Sequence, residues 1–441
     1  MKLFLIKVGK AFSVLKRDGL FQGGRRLLEY LKSFFQNIFQ NKSGDILILT
    51  GGVGDSALYR SIHLAEELNI HGFSTVAIIQ DRPFLKTLSK KFKIFIFHRV
   101  IWTGNVAKLV NEIKKQQKEI IFETDDLVFD SKYYRATEQY AAMNFFQKKQ
   151  YATGIGEEIL KDPYVKTCTC TTSYLAKELE KYPARDASGI ADVRPHDSQS
   201  VSDVAGGNKK VFIIPNKLSN KDLEVVDDIM KHKTCNIKHK THEDGKKCYM
   251  LHASGYMIKI GYFSGSGSHN KDFAEVSEAL MAIMEKYSNV ELFLAGPLDL
   301  ENKLNKFKDR IKQIPYVPRA QHFANLSQID INLAPLEKEN PFCEAKSELK
   351  FFEAGILCIP TVATRNQTFS EAIIDGQNGF LAGTTEEWIE KLEKLILEPN
   401  LRLEMGQKAR NKALADYTTK NSHNLEFYDY LKNRLNKAIN T

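Results

Sequence analysis

The sequence predicts an α/β protein built from two doubly wound domains, and three observations support this prediction. From Asp45 onward, short apolar runs rich in β-branched residues alternate with amphipathic stretches of helical length. The alternation stops in a charged region at residues 218–256 and then starts again. Buried strands separated by helices of this length form parallel sheets covered on both faces. At 441 residues the chain is also too long for one ordinary core.

The composition is that of a folded globular protein with an affinity for anions. Hydrophobic residues make up 43% of the chain and charged residues 27%. Sixty-three Lys and Arg residues exceed 54 Asp and Glu residues, and the formal charge of +9 favours partners that carry phosphate or an anionic surface. The basic residues are dispersed and no known nucleic-acid-binding motif appears, so the sequence argues against a nucleic-acid partner.

The chain carries no sign of secretion or of a membrane span. Its six cysteines form no disulfide framework, and no apolar run reaches the roughly twenty residues that cross a bilayer. The first residues lack the apolar core and cleavage site of a secretory signal. We therefore expect a cytoplasmic protein.

Residues 1–44 form a separate basic amphipathic N-terminal segment. Lys and Arg alternate there with Phe, Leu and Ile at near-helical spacing. Such a segment lies peripherally on an anionic membrane surface at the inner face of the cell membrane, or packs its apolar side against the protein. The sequence leaves both possibilities open.

The first domain is predicted over residues 45–217. Its strands are expected at 45–50, 74–80, 92–97, 119–124, 165–170 and 210–215, with helices between them such as 56–72 and 105–117. A polar stretch at 185–210 is predicted to be an exposed loop. This arrangement predicts repeated βαβ units in one parallel sheet.

The second domain is predicted over residues 257–418, after a linker or insertion at 218–256 and before a C-terminal helix at 419–441. Its strands are expected at 257–264, 290–296, 311–317, 328–335 and 357–364. The linker holds Cys235, His239, His242 and Cys248, which are zinc-ligand types without the tight paired spacing of common zinc sites. A Lys/His-rich surface loop is the alternative, and we expect no metal requirement.

Strand ends in the first domain carry candidate ligand groups. Gly51, Gly52 and Gly54 follow the first strand and Asp55 opens the next helix. Glycines let backbone amides approach an anion or a sugar, although a simple tight turn has the same composition. The spacing matches neither the dinucleotide fingerprint nor the P-loop.

Two further strand ends carry titratable side chains. Asp125 and Asp126 follow the strand at 119–124 and could hold sugar hydroxyls, bind an ion or act as a base. The alternative is that one of them caps a helix. His98 ends another strand and is a candidate catalytic base or hydroxyl ligand.

The second domain opens with a turn suited to a diphosphate. Ser264, Gly265 and Ser266 follow a predicted strand, and His269 and Lys271 lead into a helix. Amides, hydroxyls and cations at a helix N-terminus form an anion cradle. A flexible Ser/Gly turn is the alternative.

Residues 340–355, with the sequence NPFCEAKSELKFFEAG, read as a single helix with opposed charges. Lys346 and Lys350 are one turn apart, Glu353 lies nearly two turns on, and Glu344 lies near the start. Two lysines could offset a diphosphate, and a glutamate could accept hydrogen bonds from both hydroxyls of a ribose. A solvated face laced with salt bridges is the alternative.

These motifs together resemble the GT-B glycosyltransferases that use nucleotide-sugar donors and mostly retain anomeric configuration, the group 1 or family 4-like enzymes. The strings GYFSGSGSHNKDF, AKSELKFFEAGILCIPTVAT and IIDGQNGFL occur in the order that this family uses. The resemblance implies two Rossmann-like domains facing across a cleft. The second would hold a UDP- or GDP-sugar, and the first would hold a glycan or a polyprenyl- or lipid-linked acceptor. It also implies catalysis without a metal cofactor.

Carried over by position, the resemblance assigns roles in the second domain. Glu353 would bind the ribose, residues 316–318 around Val317 would flank the base, and Ser266 with Lys346 or Lys350 would contact the diphosphate. Many members carry another glutamate eight positions before the one that corresponds to Glu353. This chain has Ala345 at that position. Glu344 or Lys346 would occupy that space.

The predicted function is therefore sugar transfer in the synthesis of a bacterial-type surface polysaccharide. A sugar-nucleotide epimerase or a phosphorylase on the same architecture is one alternative. A non-catalytic binding subunit is another, and Ala345 is the feature that favours it.

Overall fold

The computed structural model describes residues 43–135, 153–182, 208–238, 257–299 and 302–439, apart from 53 and 266–268, and short pieces within 15–32 and 138–148. The N-terminal segment predicted at 1–44 therefore lies almost wholly outside the described residues. The chain forms two compact units. One contains Met1–Thr171, Leu175–Ile214 and Asn424–Thr441, and the other contains Thr172–Tyr174 and Pro215–His423.

The first unit contains a six-stranded parallel sheet of order β2-β1-β3-β4-β5-β6. Its strands are β1 (Ile46–Thr50), β2 (Thr75–Ile79), β3 (Ile94–His98), β4 (Glu119–Thr124), β5 (Thr167–Cys170) and β6 (Lys210–Ile213). Helix α1 begins at Asp55–Ala57, passes through a π-helical turn, Leu58–His63, and ends with Leu64–Ile70. The further helices are a 3-10 helix at Leu85–Lys90, α2 (Gly104–Lys115), a 3-10 turn at Leu127–Phe129, α3 (Ser131–Arg135), α4 (Glu138–Ala141), α5 (Glu157–Leu160) and α6 (Ser173–Glu180).

The second unit contains another six-stranded parallel sheet, of order β12-β11-β10-β7-β8-β9. Its strands are β7 (Ile258–Phe263), β8 (Val290–Ala295), β9 (Ile311–Ile314), β10 (Ile331–Ala334), β11 (Thr361–Thr364) and β12 (Phe380–Ala382). Its helices are α7 (Asn220–Lys238), α8 (Asn270–Lys286), a 3-10 helix (Asn302–Arg310), α9 (Arg319–Leu326), α10 (Pro341–Ala345), α11 (Leu349–Gly355), α12 (Gln367–Ala372), α13 (Thr385–Leu397) and α14 (Pro399–Asp416). Helix α15 (Leu425–Ile439) follows in the chain and belongs to the first unit.

The predicted fold class, two doubly wound parallel sheets, is confirmed. Every residue of β1, β3, β10 and β11 is buried, as expected for strands covered on both faces. Each strand predicted from an apolar run is present, within a few residues of its predicted bounds. The sequence did not predict β12 as a strand, because its three residues are too few to show a period.

Two regions outside the predicted sheets are helical. Helix α7 occupies the first part of the region predicted as a linker or insertion. Helix α15 lies in the C-terminal segment, and its Phe427, Tyr428 and Leu431 join the buried core of the first unit. Residues 239–256, the rest of the predicted linker, lie outside the described residues.

Each sheet has one point where the strand order reverses direction. In the first unit, the chain passes from β1 to β2 on one side, and then from β2 past β1 to β3 on the other side. In the second unit, the order places β8 and β9 on one side of β7 and β10 to β12 on the other. Ligands of open α/β sheets bind outside the carboxyl ends of the strands at such a switch point. The loops after β1 and β3, and those after β7 and β10, therefore mark the two candidate sites.

Candidate functional site

The loop after β7 places a polar turn at the switch point of the second unit. Ser264 is buried and its amide donates to the carbonyl oxygen of Ala295, while Gly265 is exposed. Gly296 follows β8 with a φ of 95°, and a Cβ there would lie 1.9 Å from the carbonyl oxygen of Ser264. The neighbouring strand end thus packs directly against this turn. Ser266 lies outside the described residues.

The single helix predicted over 340–355 is wrong, because the segment forms two short helices. Asn340 caps α10 by accepting from the amide of Phe342, and α10 ends at Ala345. Lys346 is extended, with φ −65° and ψ 138°, and α11 begins at Leu349. Side-chain contacts at the break stabilise it: Lys346 reaches an aspartate, and the hydroxyl of Ser347 accepts a hydrogen bond from Asn216.

Asp272, in the first turn of α8, connects the two strand-end loops. Its Oδ2 lies 2.7 Å from both His269 Nδ1 and Lys346 Nζ. Its Oδ1 accepts from the amide of Glu337 at 3.0 Å and from the thiol of Cys343 at 3.2 Å. Burial alone would raise the pKa of Asp272, but these hydrogen bonds and the charge of Lys346 hold it well below its usual range. A buried carboxylate therefore fixes the position of Lys346.

Lys350, in the first turn of α11, is a second cation at the same place. Its Nζ lies 5.3 Å from the centre of the Tyr262 ring. Burial and the neighbouring charge of Lys346 lower its pKa to about 8, while Asp272 and Glu353 act in the opposite direction. An anionic ligand bound beside these two lysines would favour the charged form of Lys350.

Tyr262 forms the floor beneath Lys350. Its side chain is fully buried, and its hydroxyl has no hydrogen-bond partner among the described residues. Burial, followed by the charges of Asp272 and Cys343, raises its pKa well above the usual value. The phenol therefore stays neutral at physiological pH and keeps its proton available for donation.

Glu353 lies on α11 and both of its carboxylate oxygens have side-chain partners. Oε1 lies 3.1 Å from Arg319 Nη1, and Oε2 lies 3.1 Å from His322 Nε2. Arg319 also forms a bidentate pair with Asp222, at 2.5 and 3.1 Å. The orientation of Glu353 is thus fixed from two sides by residues of α9.

The remaining predicted residues of the second unit surround this cluster at different depths. His269 precedes α8, and burial, together with Lys350 and Lys346, lowers its pKa to about 4, while its hydrogen bond to Asp272 acts in the opposite direction. Lys271 is exposed and Val317 is half-buried in the loop between β9 and α9. Glu344 is half-buried in α10, where its backbone carbonyl accepts from Thr368.

Asp272, Arg319, His322, Asp222 and Tyr262 were not predicted as site residues. For Asp272 the sequence held one usable signal, an acid in the first turn of the helix that follows the Ser/Gly turn. The others carry no local signal, because their partners are distant in the chain.

The first unit brings its predicted residues together around His98. The Nδ1 of His98 lies 3.0 Å from the hydroxyl of Thr50, and its Nε2 lies 3.2 Å from Ser56 Oγ and 3.3 Å from Asp125 Oδ1. Arg99 Nε donates to the same Asp125 oxygen at 2.6 Å. Burial would raise the pKa of Asp125, but Arg99 and His98 hold it well below its usual range.

The glycines after β1 have different roles. The Gly51 amide donates to the His98 carbonyl oxygen, and a Cβ at position 51 would lie 1.7 Å from the carbonyl oxygen of Arg99. Only glycine permits this approach of the two switch-point loops. Gly54 has a φ of 128° and directly precedes Asp55, which is exposed, and Gly52 is half-buried.

Asp126 is the helix cap that the alternative interpretation anticipated. Its Oδ1 accepts from the amide of Leu127 at 2.8 Å, at the start of the short 3-10 turn. Its other oxygen lies 3.4 Å from Arg99 Nη2. Asp125 and Asp126 together therefore fix the Arg99 side chain.

The candidate zinc ligands cannot be placed. His239, His242 and Cys248, and the side chain of Cys235, lie outside the described residues. Within the part of the chain that is described, no three His, Cys, Asp or Glu side chains are grouped so as to hold a metal ion. None of the helices described there is both long and apolar enough to cross a bilayer.

Residues 258–412, which include this second-unit cluster, match the family model described as "Glycosyl transferases group 1". The putative glycosyltransferase EpsD of Bacillus subtilis is 26% identical over 147 residues, which are 33% of this chain and 38% of that protein. The capsular polysaccharide biosynthesis glycosyltransferase CapM of Staphylococcus aureus is 26% identical over 160 residues, 35% of this chain and 40% of that protein. The matches thus span about two fifths of each curated relative.

Solved structures share the fold along most of the chain. The Anabaena protein HepE, crystallised with UDP and glucose, has a TM-score of 0.53 and 11% identity over 89% of this chain and 100% of its own. A glycosyltransferase from Rickettsia africae has a TM-score of 0.53 and 14% identity over 89% of this chain and 99% of its own. At this identity the likeness concerns the fold alone, and it confirms the GT-B fold class predicted from the sequence.

Proposed function

We propose that this chain, whose second unit matches the group 1 glycosyltransferases, transfers a sugar from a nucleoside diphosphate to a hydroxyl group of an acceptor. The sequence match covers the unit that holds the cationic cluster. The name of the relative EpsD supports glycosyl transfer, and that of CapM supports a role in capsular polysaccharide synthesis. We propose a glycan or lipid-linked acceptor. HepE was crystallised with UDP, which supports a UDP- or GDP-linked donor here.

The observation that carries the proposal is the pair Lys346 and Lys350 at the switch point of the second sheet. Asp272 holds Lys346 there, and burial with Lys346 lowers the pKa of Lys350 to about 8. An isolated surface salt bridge would not depress a lysine pKa in this way. A diphosphate bound between the two amines would supply the missing negative charge and restore that pKa.

Donor binding follows from the neighbouring groups. The diphosphate would lie against Lys346, Lys350 and the turn beginning at Ser264, because Ser/Gly turns between a strand and a helix bind anions. The ribose hydroxyls would donate to Glu353, whose carboxylate is oriented by Arg319 and His322. Val317 and its neighbours would flank the base.

The proposed reaction makes one bond and breaks another. The acceptor oxygen attacks the anomeric carbon, the bond from that carbon to the phosphate oxygen breaks, and the hydroxyl proton ends on the diphosphate or on a nearby base. Charge grows on the departing phosphate, so fixed ammonium groups stabilise the transition state more than the ground state. These ammonium groups would also make a metal cofactor unnecessary. We further propose that the sugar keeps its anomeric configuration.

The first unit is proposed to supply acceptor-side groups. His98, Ser56 and Asp125 lie at its own switch point, where the glycine turn of Gly51–Gly54 also lies. Arg99 compensates the charge of Asp125, so this carboxylate can accept from a sugar hydroxyl without binding a metal ion. His98 touches three polar groups and is proposed as the base or hydroxyl ligand of this set.

Thermal unfolding with nucleotides tests the donor site. UDP or GDP should raise the unfolding temperature of the wild type, and Lys350→Ala should remove that effect and abolish sugar transfer while the far-UV circular dichroism spectrum stays unchanged. Lys308→Ala, an exposed lysine in the same unit, is the matched control. Full transfer activity in Lys350→Ala would refute the assignment.

A nucleotide-binding subunit without catalysis is a second candidate, favoured by Ala345. This residue lies eight positions before Glu353, is fully buried, and places no carboxylate at the site. Such a subunit would bind UDP or GDP and leave UDP- and GDP-sugars intact in the presence of any acceptor. Release of free UDP or GDP from a donor sugar would exclude it.

A further inference from the structure

Two segments of the first unit, 82–93 and 102–118, carry charge of essentially one sign. They contain nine lysine and arginine residues and one acid, Glu112, and so hold most of the chain's formal charge of +9. The first segment includes the 3-10 helix Leu85–Lys90 and the second includes α2. We call their exposed side the basic surface. Its exposed basic residues are Lys86, Lys90, Lys108 and Lys115, while the other five, Arg82, Lys91, Lys93, Lys114 and Lys118, are half-buried.

The two segments lie side by side and run in the same direction. Near their beginnings, the side chain of Gln80 accepts from the amide of Ile101 at 2.8 Å. Near their ends, Lys118 Nζ donates to the carbonyl oxygen of Ser89 at 2.6 Å. The two segments are therefore neighbours along their length, and Lys86 of the first reaches Glu112 of the second at 3.2 Å.

The exposed part of this face is cationic. Along α2 the exposed positions follow a helical stripe that contains no acid, namely Gly104, Lys108, Asn111 and Lys115. Glu112 lies between two lysines, 3.2 Å from Lys86 and 3.5 Å from Lys115, whose side chains remain 59% and 74% exposed. Lys90 is exposed as well. Two acids outside the segments also pair with their lysines, Asp45 with Lys93 and Asp162 with Lys114. The positive charge of this face therefore comes mainly from its four exposed lysines.

Two large aromatic side chains are exposed at one end of the basic surface. Phe84 is 80% exposed and directly precedes the 3-10 helix, and Trp102 is 36% exposed and precedes α2 by one residue. Phe84 also has a left-handed backbone, with φ 58°, which is uncommon for a bulky residue. Both rings follow strands β2 and β3, so they lie at the carboxyl edge of the sheet, the edge at which His98 ends β3.

We propose that the basic surface binds an anionic phospholipid membrane, with its lysines on the headgroups and Phe84 and Trp102 inserted into the interface. Exposed lysines along a surface, with aromatic rings at one end of it, are typical of an element that binds a membrane surface. A nucleic-acid surface would instead interleave aromatic rings with the cations along a groove. The inference deepens the proposed function, because it would place the acceptor-side groups near lipid.

Vesicle flotation tests the charge component. Wild-type protein should bind vesicles of phosphatidylcholine and phosphatidylglycerol, bind pure phosphatidylcholine poorly, and dissociate as salt shortens the screening length. The fourfold variant Lys86→Glu, Lys90→Glu, Lys108→Glu and Lys115→Glu should lower the partition coefficient at least about a hundredfold, at roughly fivefold per lysine. The matched control reverses four exposed lysines of the second unit, Lys308, Lys312, Lys408 and Lys420, and should bind like the wild type.

A second pair of variants tests the aromatic component and guards against misfolding. Phe84→Asn with Trp102→Ala should lower vesicle binding about tenfold and leave its salt dependence intact. Replacing the four surface lysines by Gln keeps helix propensity and should still weaken binding. Stabilisation by UDP or GDP should persist in all these variants, so failure of the membrane proposal is distinguishable from failure of the donor site.

Three results would overturn the proposal. Wild-type protein that ignores anionic vesicles is one. A fourfold variant that binds them like the wild type is another, and it would assign any membrane binding to residues 1–44. A fourfold variant that loses the wild-type binding to a single-stranded oligonucleotide, while its vesicle binding is unchanged, would assign the basic surface to nucleic acid.

Discussion

At the scale of single residues, the charge of Lys350 is expected to destabilise the ligand-free protein and to favour nucleotide binding. Burial beside Lys346 lowers its pKa to about 8, so its ammonium form costs stability at pH 7. Lys350→Met keeps the apolar stem over Tyr262 and removes the charge. We expect this variant to unfold about 2–4 °C higher than the wild type without ligand and to gain nothing from UDP or GDP. Scanning fluorimetry at pH 7 measures both effects, with Lys308→Met as control, and lower ligand-free stability would contradict the assignment.

The same lysine predicts how nucleotide binding depends on pH. Below pH 8 the Lys350 amine is charged in the ligand-free protein, and above it the neutral form prevails. Affinity for UDP or GDP should therefore fall as pH rises from 8 to 9.5, by up to roughly tenfold per pH unit. His269, with a pKa of about 4, is neutral throughout this range. Calorimetric titration measures the profile, and Lys350→Arg should flatten it because a guanidinium does not lose its proton.

Asp272 is predicted to stabilise the empty site by holding Lys346. It is 3% exposed, so removing its charge leaves two ammonium groups without their buried counter-charge. Asp272→Asn should lower the free energy of unfolding by roughly 2–4 kcal/mol, and saturating UDP or GDP should restore part of the loss by supplying negative charge. Urea unfolding with and without nucleotide measures this. Asp309→Asn, an exposed change in the same unit, is the control, and equal losses with and without nucleotide would argue against a shared anion site.

The site residues show how far the sequence could predict this cluster. Lys346, Lys350 and Glu353 stood out because opposed charges lay close together in the chain. Asp272 and Arg319 did not, because their importance comes from partners in distant segments. Spacing along the chain predicts which groups share an element, and tertiary packing decides which of them become pairs.

At the scale of elements, the break between α10 and α11 is the main departure from the predicted structure. Residues 345–349 contain neither glycine nor proline, so local propensity favours one helix. The hydrogen bond of Ser347 to Asn216 and the contact of Lys346 with Asp272 offset that preference. Helix propensity is worth under about 1 kcal/mol per residue, and tertiary contacts readily override it. The break places Lys346 and Lys350 on separate elements aimed at one place.

Glu348, which precedes α11, predicts a pH dependence of stability at this junction. Burial raises its pKa to about 7, against a hydrogen bond with Tyr417 that acts in the opposite direction. A raised folded-state pKa stabilises the protein below the unfolded value of 4.5, and that contribution is lost as pH rises through 7. Glu348→Gln should therefore flatten the fall in unfolding temperature between pH 5 and 8 and be more stable than the wild type at pH 8. Melting curves across this range decide, and the exposed change Glu404→Gln should leave the profile unchanged.

At the scale of the whole molecule, strand order explains why the candidate sites lie where they do. Strand positions were predictable, because buried parallel strands are short apolar runs. Strand order was not, because neighbours such as β7 and β10 pair across more than sixty intervening residues. The order β12-β11-β10-β7-β8-β9 creates the switch point beside which Asp272 contacts both His269 and Lys346. The candidate functional residues could thus be predicted from the loop sequences, but their positions in the fold depended on the strand order.

Helix α15 predicts that the stability of the first unit depends on the end of the chain. Its Tyr428 hydroxyl lies 2.6 Å from Glu67 Oε1 in helix α1, and its ring stacks on His71 at 4.3 Å between ring centres. Leu431 of the same helix is fully buried in the first unit's core. The first unit therefore cannot complete its core from the sheet and its preceding helices alone.

Removing residues 424–441 should consequently unfold the first unit and leave the second unit folded. Leu431→Ala should lower the unfolding temperature of the first unit, because a buried Leu-to-Ala change costs about 2–5 kcal/mol. Lys432→Ala, next to it but 59% exposed, is the control. Calorimetry should show the lower-temperature transition shifting in Leu431→Ala while the transition stabilised by UDP or GDP stays in place. A shift of the nucleotide-stabilised transition instead would mean that α15 supports the donor-binding unit, contrary to its packing on α1 and β6.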